Sequence, residues 1–199
     1  MDHQSLKADI RKSVLAMRDR ITPMHRIELS LEAADKGADY IQFDPGTIIS
    51  GFFPIRSEID PRPLLDIFRQ KGARLCLPVV IDKTTIVFRE LIRGAELIDT
   101  GFGTRGPGEE APVLDPQILI MPLSAFDKNG GRIGYGAGHY DRAVSRLIEK
   151  NKHPQLVGFA FSCQEVDRVP VEAHDQPLEA VITELGVTQC AKPTDQAIV

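Results

Sequence analysis

Apolar and polar positions change period several times along the chain, and each change marks an element. Over 2–20, Leu6, Ile10, Val14, Met17 and Ile21 recur at three- and four-residue steps, the spacing of one apolar helix stripe. Lys7, Arg11, Lys12 and Arg18 lie off that stripe, with Lys7 and Arg11 one turn apart on a shared face. On these residues alone the cations form a solvated face. Thr22-Pro23 reads as an N-cap followed by proline in the first turn. The helix it opens runs over 23–42 and is weakest near Gly37. Residues 47–53 are β-branched and then aromatic, a buried strand that Pro54 ends. A helix over 61–70 follows, then strands over 74–80 and 85–90 around an Asp82-Lys83 turn. Leu75, Leu77 and Val79 alternate, so one face of their strand is expected to be the more buried.

Residues 94–112, with Gly101, Gly103, Gly106 and Gly108, predict an irregular loop. Short apolar runs predict strands at 118–121, at 156–161 and finally at 180–183. Tyr140, Val144, Leu147 and Ile148 give an amphipathic helix. Two helices followed by alternating strands and helices predict an α/β fold: a single three-layer domain with a mostly parallel central sheet and helices on both faces. That domain is assigned residues 1–190, and 191–199 a flexible tail.

Composition narrows the class. The chain has 199 residues, enough for a sizeable core, and a net charge of −4. Any anionic ligand must therefore be held by local charge, and neither nucleic acid nor membrane is expected as a partner. Cys76, Cys163 and Cys190 are odd in number and lack metal-site spacing, which suits reduced, buried thiols in a cytoplasmic protein. A monomer is expected.

The densest chemistry lies at 118–142, ILIMPLSAFDKNGGRIGYGAGHYDR. A buried strand ends at Pro122, a polar reversal follows at Asp127-Lys128-Asn129-Gly130-Gly131, and Gly134, Gly136 and Gly138 precede a helix. Glycines let backbone N–H groups approach a ligand, and a helix N-terminus carries unpaired N–H groups and partial positive charge. Together they suit phosphate. Arg132 adds a guanidinium that can fork onto phosphate oxygens. Asp141 could stabilise the helix start or hold a magnesium ion. His139 stands where a dinucleotide loop needs glycine, and the Gly-Lys-Ser/Thr of a P-loop is absent. Glycine spacing alone serves a tight turn equally well. Arg132 and the Tyr140-Asp141-Arg142 run favour phosphate.

This stretch resembles the signature of the 5-formyltetrahydrofolate cyclo-ligase family, also called 5,10-methenyltetrahydrofolate synthetases. That signature runs from an apolar strand and Pro through Ala-Phe-Asp and a turn to Arg-Leu-Gly-x-Gly-x-Gly-Tyr/Phe-Tyr-Asp-Arg. Here Pro122, Ala125-Phe126-Asp127 and Arg132 to Arg142 match it. Ala137 replaces the usual glycine or lysine, and His139 replaces an aromatic residue. The resemblance covers nearly the whole chain and is strongest over 114–142 and 169–183.

The resemblance implies ATP-dependent closure of 5-formyltetrahydrofolate to 5,10-methenyltetrahydrofolate, with ADP and phosphate released and Mg2+ as cofactor. By position, Lys7, Arg11, Arg132, Ile133, Gly134, Tyr135, Gly136, Ala137, Gly138, His139 and Tyr140 would bind ATP. Phe53, Glu58, Tyr135, His139 and Tyr140 would bind the folate. Arg132 and Tyr140 would serve catalysis, and Asp141 and Asp175 would hold the metal. In the family a Phe/Trp-Gly-Ile-Pro-x-Pro segment closes over the substrate. Phe102-Gly103 fits it, and 104–108 matches loosely. For Glu58 a helix cap is the competing reading, and for His174 a structural hydrogen bond is the favoured one. Two rival functions are another phosphate-handling enzyme, such as a sugar-phosphate isomerase, and a catalytically inactive nucleotide- and folate-binding protein.

Overall fold

The computed structural model describes residues 3–101, 103–172 and 175–190. Within them, helices α1 (His3–Arg18) and α2 (Pro23–Tyr40) come first, followed by β1 (Ile48–Ser50), α3 (Arg62–Gln70), β2 (Arg74–Val80) and β3 (Ile86–Glu90). A ribbon of β4 (Leu97–Asp99) and β5 (Arg105–Pro107) precedes β6 (Val113–Leu114) and β7 (Ile118–Met121). A second ribbon, β8 (Ala125–Phe126) and β9 (Arg132–Ile133), leads into α4 (His139–Glu149). β10 (Gln155–Phe159), a single 3-10 turn (Ser162–Gln164), β11 (Ala180–Thr183) and β12 (Gly186–Gln189) complete the chain.

The main sheet has eight strands in the order β12-β11-β10-β7-β1-β2-β3-β6. The five from β11 to β2 are parallel. β12 on one side, and β3 and β6 on the other, extend it antiparallel. Successive residues of β7 point to opposite faces, and each face has its own helical layer. Ile118 and Ile120 pack with Ala33, Ala34 and Ala38 of α2 and with Leu64, Leu65 and Phe68 of α3. Leu119 and Met121 pack with Ala143, Val144 and Leu147 of α4. Burial of each large side chain in such a layer stabilises the fold by about 2 kcal/mol. The predicted three-layer α/β architecture with a mostly parallel sheet is thus the observed one.

Several elements differ from their prediction. The first strand is confined to Ile48–Ser50. Leu75, Cys76 and Leu77 are all buried, so β2 is covered on both faces rather than one. Residues 94–112 are not irregular, because β4 and β5 pair antiparallel across them. The chain adds β12 after the strand expected to be last. Gly37 does not weaken α2: a Cβ there would stand 3.0 Å from both δ carbons of Leu64, so the glycine permits close packing of α2 on α3. Cys76 is buried, whereas Cys163 and Cys190 are only half-buried; all three are free thiols.

The largest revision concerns α1. Leu6 and Met17 of the apolar stripe are exposed, at 39% and 42%, while Val14 and Arg18 are the buried residues of the helix. Val14 packs with Ala125, Ile133 and Val169. The face carrying Lys7, Arg11, Val14 and Arg18 therefore turns inward, and cations that the spacing alone would leave in solvent point at the second ribbon and the segments around it.

Chain order reverses beside β7. From β1 the chain steps to β2, whereas from β7 it steps the other way to β10 and β11. In open parallel sheets such a reversal leaves a crevice beyond the carboxyl ends of the strands. Phe52 and Phe53 follow β1 at that end, and Pro122 follows β7.

Candidate active site

A cleft of about 770 Å³ occupies this crevice. It is lined from four directions: by α1, by the loop after β1, by the glycine-rich loop before α4, and by Glu172 and Asp175 near the end of the chain. Every residue singled out above for ATP, folate or metal lies on its wall.

The polar reversal at 127–131 is built by Asp127. Its Oδ1 accepts from the N–H groups of Asn129 (2.9 Å) and Gly131 (3.0 Å), and its Oδ2 accepts from Val169 N–H at 2.7 Å. That turn sets the start of β9 and so the buried Arg132, whose Nη2 donates to Asp141 Oδ1 at 2.6 Å. Gly136 (φ 98°) and Gly138 (φ 63°) hold the left-handed conformations that let the loop bend into α4. Ala137 is not among the positive-φ residues, so its methyl group costs the loop nothing. His139 Nε2 lies 3.0 Å from the Lys83 carbonyl, and Arg142 Nε donates to the Thr84 carbonyl at 2.8 Å. The turn between β2 and β3 is thereby fastened to the glycine loop.

From α1, Arg11 Nε donates to the Gly134 carbonyl at 2.7 Å. Lys7 Nζ reaches Asp175 Oδ2 at 2.7 Å and Glu172 Oε2 at 2.9 Å. Burial favours the neutral amine, but hydrogen bonds and charge from the two carboxylates outweigh it and raise the Lys7 pKa. Arg18 Nη2 donates to the Tyr135 hydroxyl at 2.9 Å, and its Nε to Ser57 Oγ at 3.0 Å.

On the opposite wall Glu58 is buried, and its Oε2 accepts from Ile55 N–H at 2.8 Å. It does not cap α3; Asp60 accepts from Arg62 N–H instead. Burial raises the Glu58 pKa, against the pull of the Ile55 N–H, the Arg18 charge and the nearby Tyr135 hydroxyl. Burial and the Glu58 charge push the Tyr135 phenol up to about 12. Phe53 sits beneath the Arg62 guanidinium, 5.6 Å from the ring centroid.

Three buried atoms of residues lining the cleft have no hydrogen-bond partner among the described residues: Glu58 Oε1, Arg132 Nε and the Tyr140 hydroxyl. An unmet buried polar group costs about 1–3 kcal/mol. Three in one cleft mark where a polar ligand would restore the missing bonds.

Among the described residues no group of three or more His, Cys, Asp or Glu could enclose a metal ion. Asp141 Oδ1 receives Arg132 and the Gln176 N–H, and Asp175 Oδ2 receives Lys7 and the Glu172 N–H. This donor set fits magnesium held by one or two carboxylates with phosphate oxygens and water completing its shell. It does not fit an all-protein cage.

Sequence reasoning missed Glu172, Arg18 and Ser57 as neighbours of the site. An acidic residue three positions before Asp175 was a visible signal for the first. His174 and Phe102 lie outside the described residues. Thr104 and Arg105, from the expected substrate-closing segment, border the cleft.

The family model of the 5-formyltetrahydrofolate cyclo-ligase family matches residues 3–184. The chain belongs to that family. As a member it is an enzyme, a ligase of folate one-carbon chemistry. It is 31% identical over 172 residues to the 5-formyltetrahydrofolate cyclo-ligase of Escherichia coli K12, covering 83% of this chain and 93% of the relative. The mouse cyclo-ligase is 26% identical over 198 residues, covering 91% and 93%. The solution structure of 5,10-methenyltetrahydrofolate synthetase from Aquifex aeolicus matches with a TM-score of 0.78 and 28% identity, over 98% of this chain and 96% of that one.

Proposed function

We propose that the protein closes 5-formyltetrahydrofolate to 5,10-methenyltetrahydrofolate at the expense of ATP, by phosphorylating the formyl oxygen. The observation that carries this reading is the pairing, across one cleft, of a cation-lined glycine loop with a buried carboxylate that keeps an unpaired oxygen. The first suits a triphosphate; the second suits the adjacent amino and ring N–H groups of a pterin.

An N-formyl group is a poor electrophile, and its oxygen leaves slowly as hydroxide. Transfer of the γ-phosphoryl group to that oxygen turns it into a good leaving group. N10 then attacks the formyl carbon, the C–O bond breaks, and the N10 proton is lost as phosphate departs with the oxygen. Phosphoryl transfer needs position and charge neutralisation more than covalent help. Loop N–H groups, Lys7, Arg11 and Arg132 would supply both. Arg132, held by Asp141, keeps its Nε for the phosphate. Phe53, Tyr140 and His139 would pack the ring systems, and Glu58 would orient the pterin. Asp141 and Asp175 would hold magnesium, which neutralises charge on the phosphates. Binding of the triphosphate would draw Lys7 from Glu172 and Asp175.

The route is tested with substrate carrying oxygen-18 in the formyl group. Recovery of the label in inorganic phosphate is expected. Label released only in water would rule the phosphorylated intermediate out.

A further inference from the structure

Helix α1 carries one buried cation that the phosphate chemistry does not use. Arg18 is 1% exposed although its charge is permanent, and it makes no direct ion pair among the described residues. Burying such a charge is costly unless its surroundings compensate. Its Nε donates to Ser57 Oγ, and its Nη2 to the Tyr135 hydroxyl. Ser57 Oγ in turn donates to the Asp19 carboxylate. Ser57 adjoins Glu58 in the chain, and Tyr135 belongs to the glycine loop. One guanidinium thus ties together α1, the loop after β1 and the glycine loop, beside the place where Glu58 lines the cleft.

We propose that Arg18 is a positioning residue for the folate half of the cleft: through Ser57 and Tyr135 it fixes the loop bearing Glu58, and it supplies the counter-charge that lets Glu58 receive a pterin as a carboxylate. This rests on the reading of Glu58 as the pterin acceptor. The charged and titratable groups facing Glu58 are Arg18 from α1, Arg56 on its own loop, Tyr135 on the glycine loop and Tyr140 from α4. Both tyrosines are pushed upward by burial and stay neutral near pH 7. Arg56 is exposed, its guanidinium 5.8 Å above the Tyr135 ring, so water screens it. Arg18 is the buried charge that opposes the cost of burying Glu58.

The test is calorimetric binding of 5-formyltetrahydrofolate by the full chain between about pH 5 and 8. For Arg18→Met, folate affinity is expected to fall about tenfold, with ATP affinity unchanged. The loss of affinity on acidification should also begin at a higher pH than in the wild type, because Glu58 would protonate more readily. Arg18→Lys should keep the wild-type pH profile. An unmoved profile in Arg18→Met, or equal weakening of ATP and folate, would overturn the proposal. If Arg18→Met fails to fold, Ser57→Ala removes only the hydroxyl that Arg18 Nε holds. It should weaken folate and spare ATP, and unchanged folate affinity would be contrary. Glu58→Gln separates the two readings. Wild-type folate affinity in that variant removes the role of Glu58 and the proposal with it. Weak binding there, with normal binding in the Arg18 and Ser57 variants, removes only the role of Arg18.

Discussion

Arg132→Ala separates the structural use of this residue from its use in turnover. The side chain is 6% exposed and pairs at 2.6 Å with Asp141, which is 16% exposed. Removing one partner of a buried pair leaves the other uncompensated and costs about 3–5 kcal/mol. The Gln176 N–H still donates to Asp141, so the lower end, about 3 kcal/mol, is expected. For a domain of this size that lowers Tm by about 6–12 °C. Turnover loses a preorganised cation at the transferring phosphate, a loss of about 10²–10³ in kcat. The assay is methenyl-folate absorbance at saturating ATP, with thermal melts and folate calorimetry on the same samples. Folate affinity should hold. In Arg132→Ala/Asp141→Ala the uncompensated carboxylate is gone, so much of the Tm should return while turnover stays low. Full turnover in Arg132→Ala, or its recovery in the double variant, would refute the role in phosphoryl transfer.

Other expectations follow from the same geometry. Because burial raises the folded-state pKa of Glu58, its favourable contribution to stability is present below the unfolded pKa and is lost as pH rises through the folded one. Glu58→Gln should therefore melt above wild type near pH 7, with the gap closing in acid; a lower Tm at neutral pH would contradict the burial argument. Lys7 has a raised pKa, so its ion pairs stabilise the fold at neutral pH and are lost as pH rises above about 10.5; Lys7→Met should erase that alkaline loss in a melt series and raise KM for ATP. Gly138→Ala would force an alanine to φ 63°, with its Cβ 2.8 Å from Arg142 Nη1. A cost of about 1–2 kcal/mol should appear in denaturant titrations together with weaker ATP binding, and an unchanged ATP affinity would count against the loop. Chelation of divalent metal should stop turnover and leave folate affinity intact by calorimetry.

The parts of the fold legible in the sequence were those governed by local rules. Ile118 to Met121 reads as a strand covered on both faces because both periods of its pleat are apolar, and its neighbours are the two helical layers. Asp127 and the glycines after it read as a turn and a loop because their conformations depend on residues a few places apart. For α1, spacing alone misleads, because amphipathic spacing identifies a stripe but not what the stripe faces: its cations are held by Gly134, Tyr135, Glu172 and Asp175, more than a hundred residues away. The β4–β5 ribbon was missed because its strands are short and β5 carries a glycine, Gly106, which lets the ribbon lie against Val79. β12 has no apolar run of its own and is defined by pairing with β11. At the site, residue types and their order were legible, while the unpaired atoms of Glu58, Arg132 and Tyr140 arise only from packing.

The central claim is ATP-driven ring closure in this cleft, and it is tested most directly by absorbance in the methenyl-folate band with purified protein, 5-formyltetrahydrofolate and magnesium, with and without ATP. A rise that requires ATP and is abolished in Arg132→Ala is the expected result. No rise with ATP present, while 5-formyltetrahydrofolate still binds, would contradict the account and leave a folate-binding protein without this chemistry.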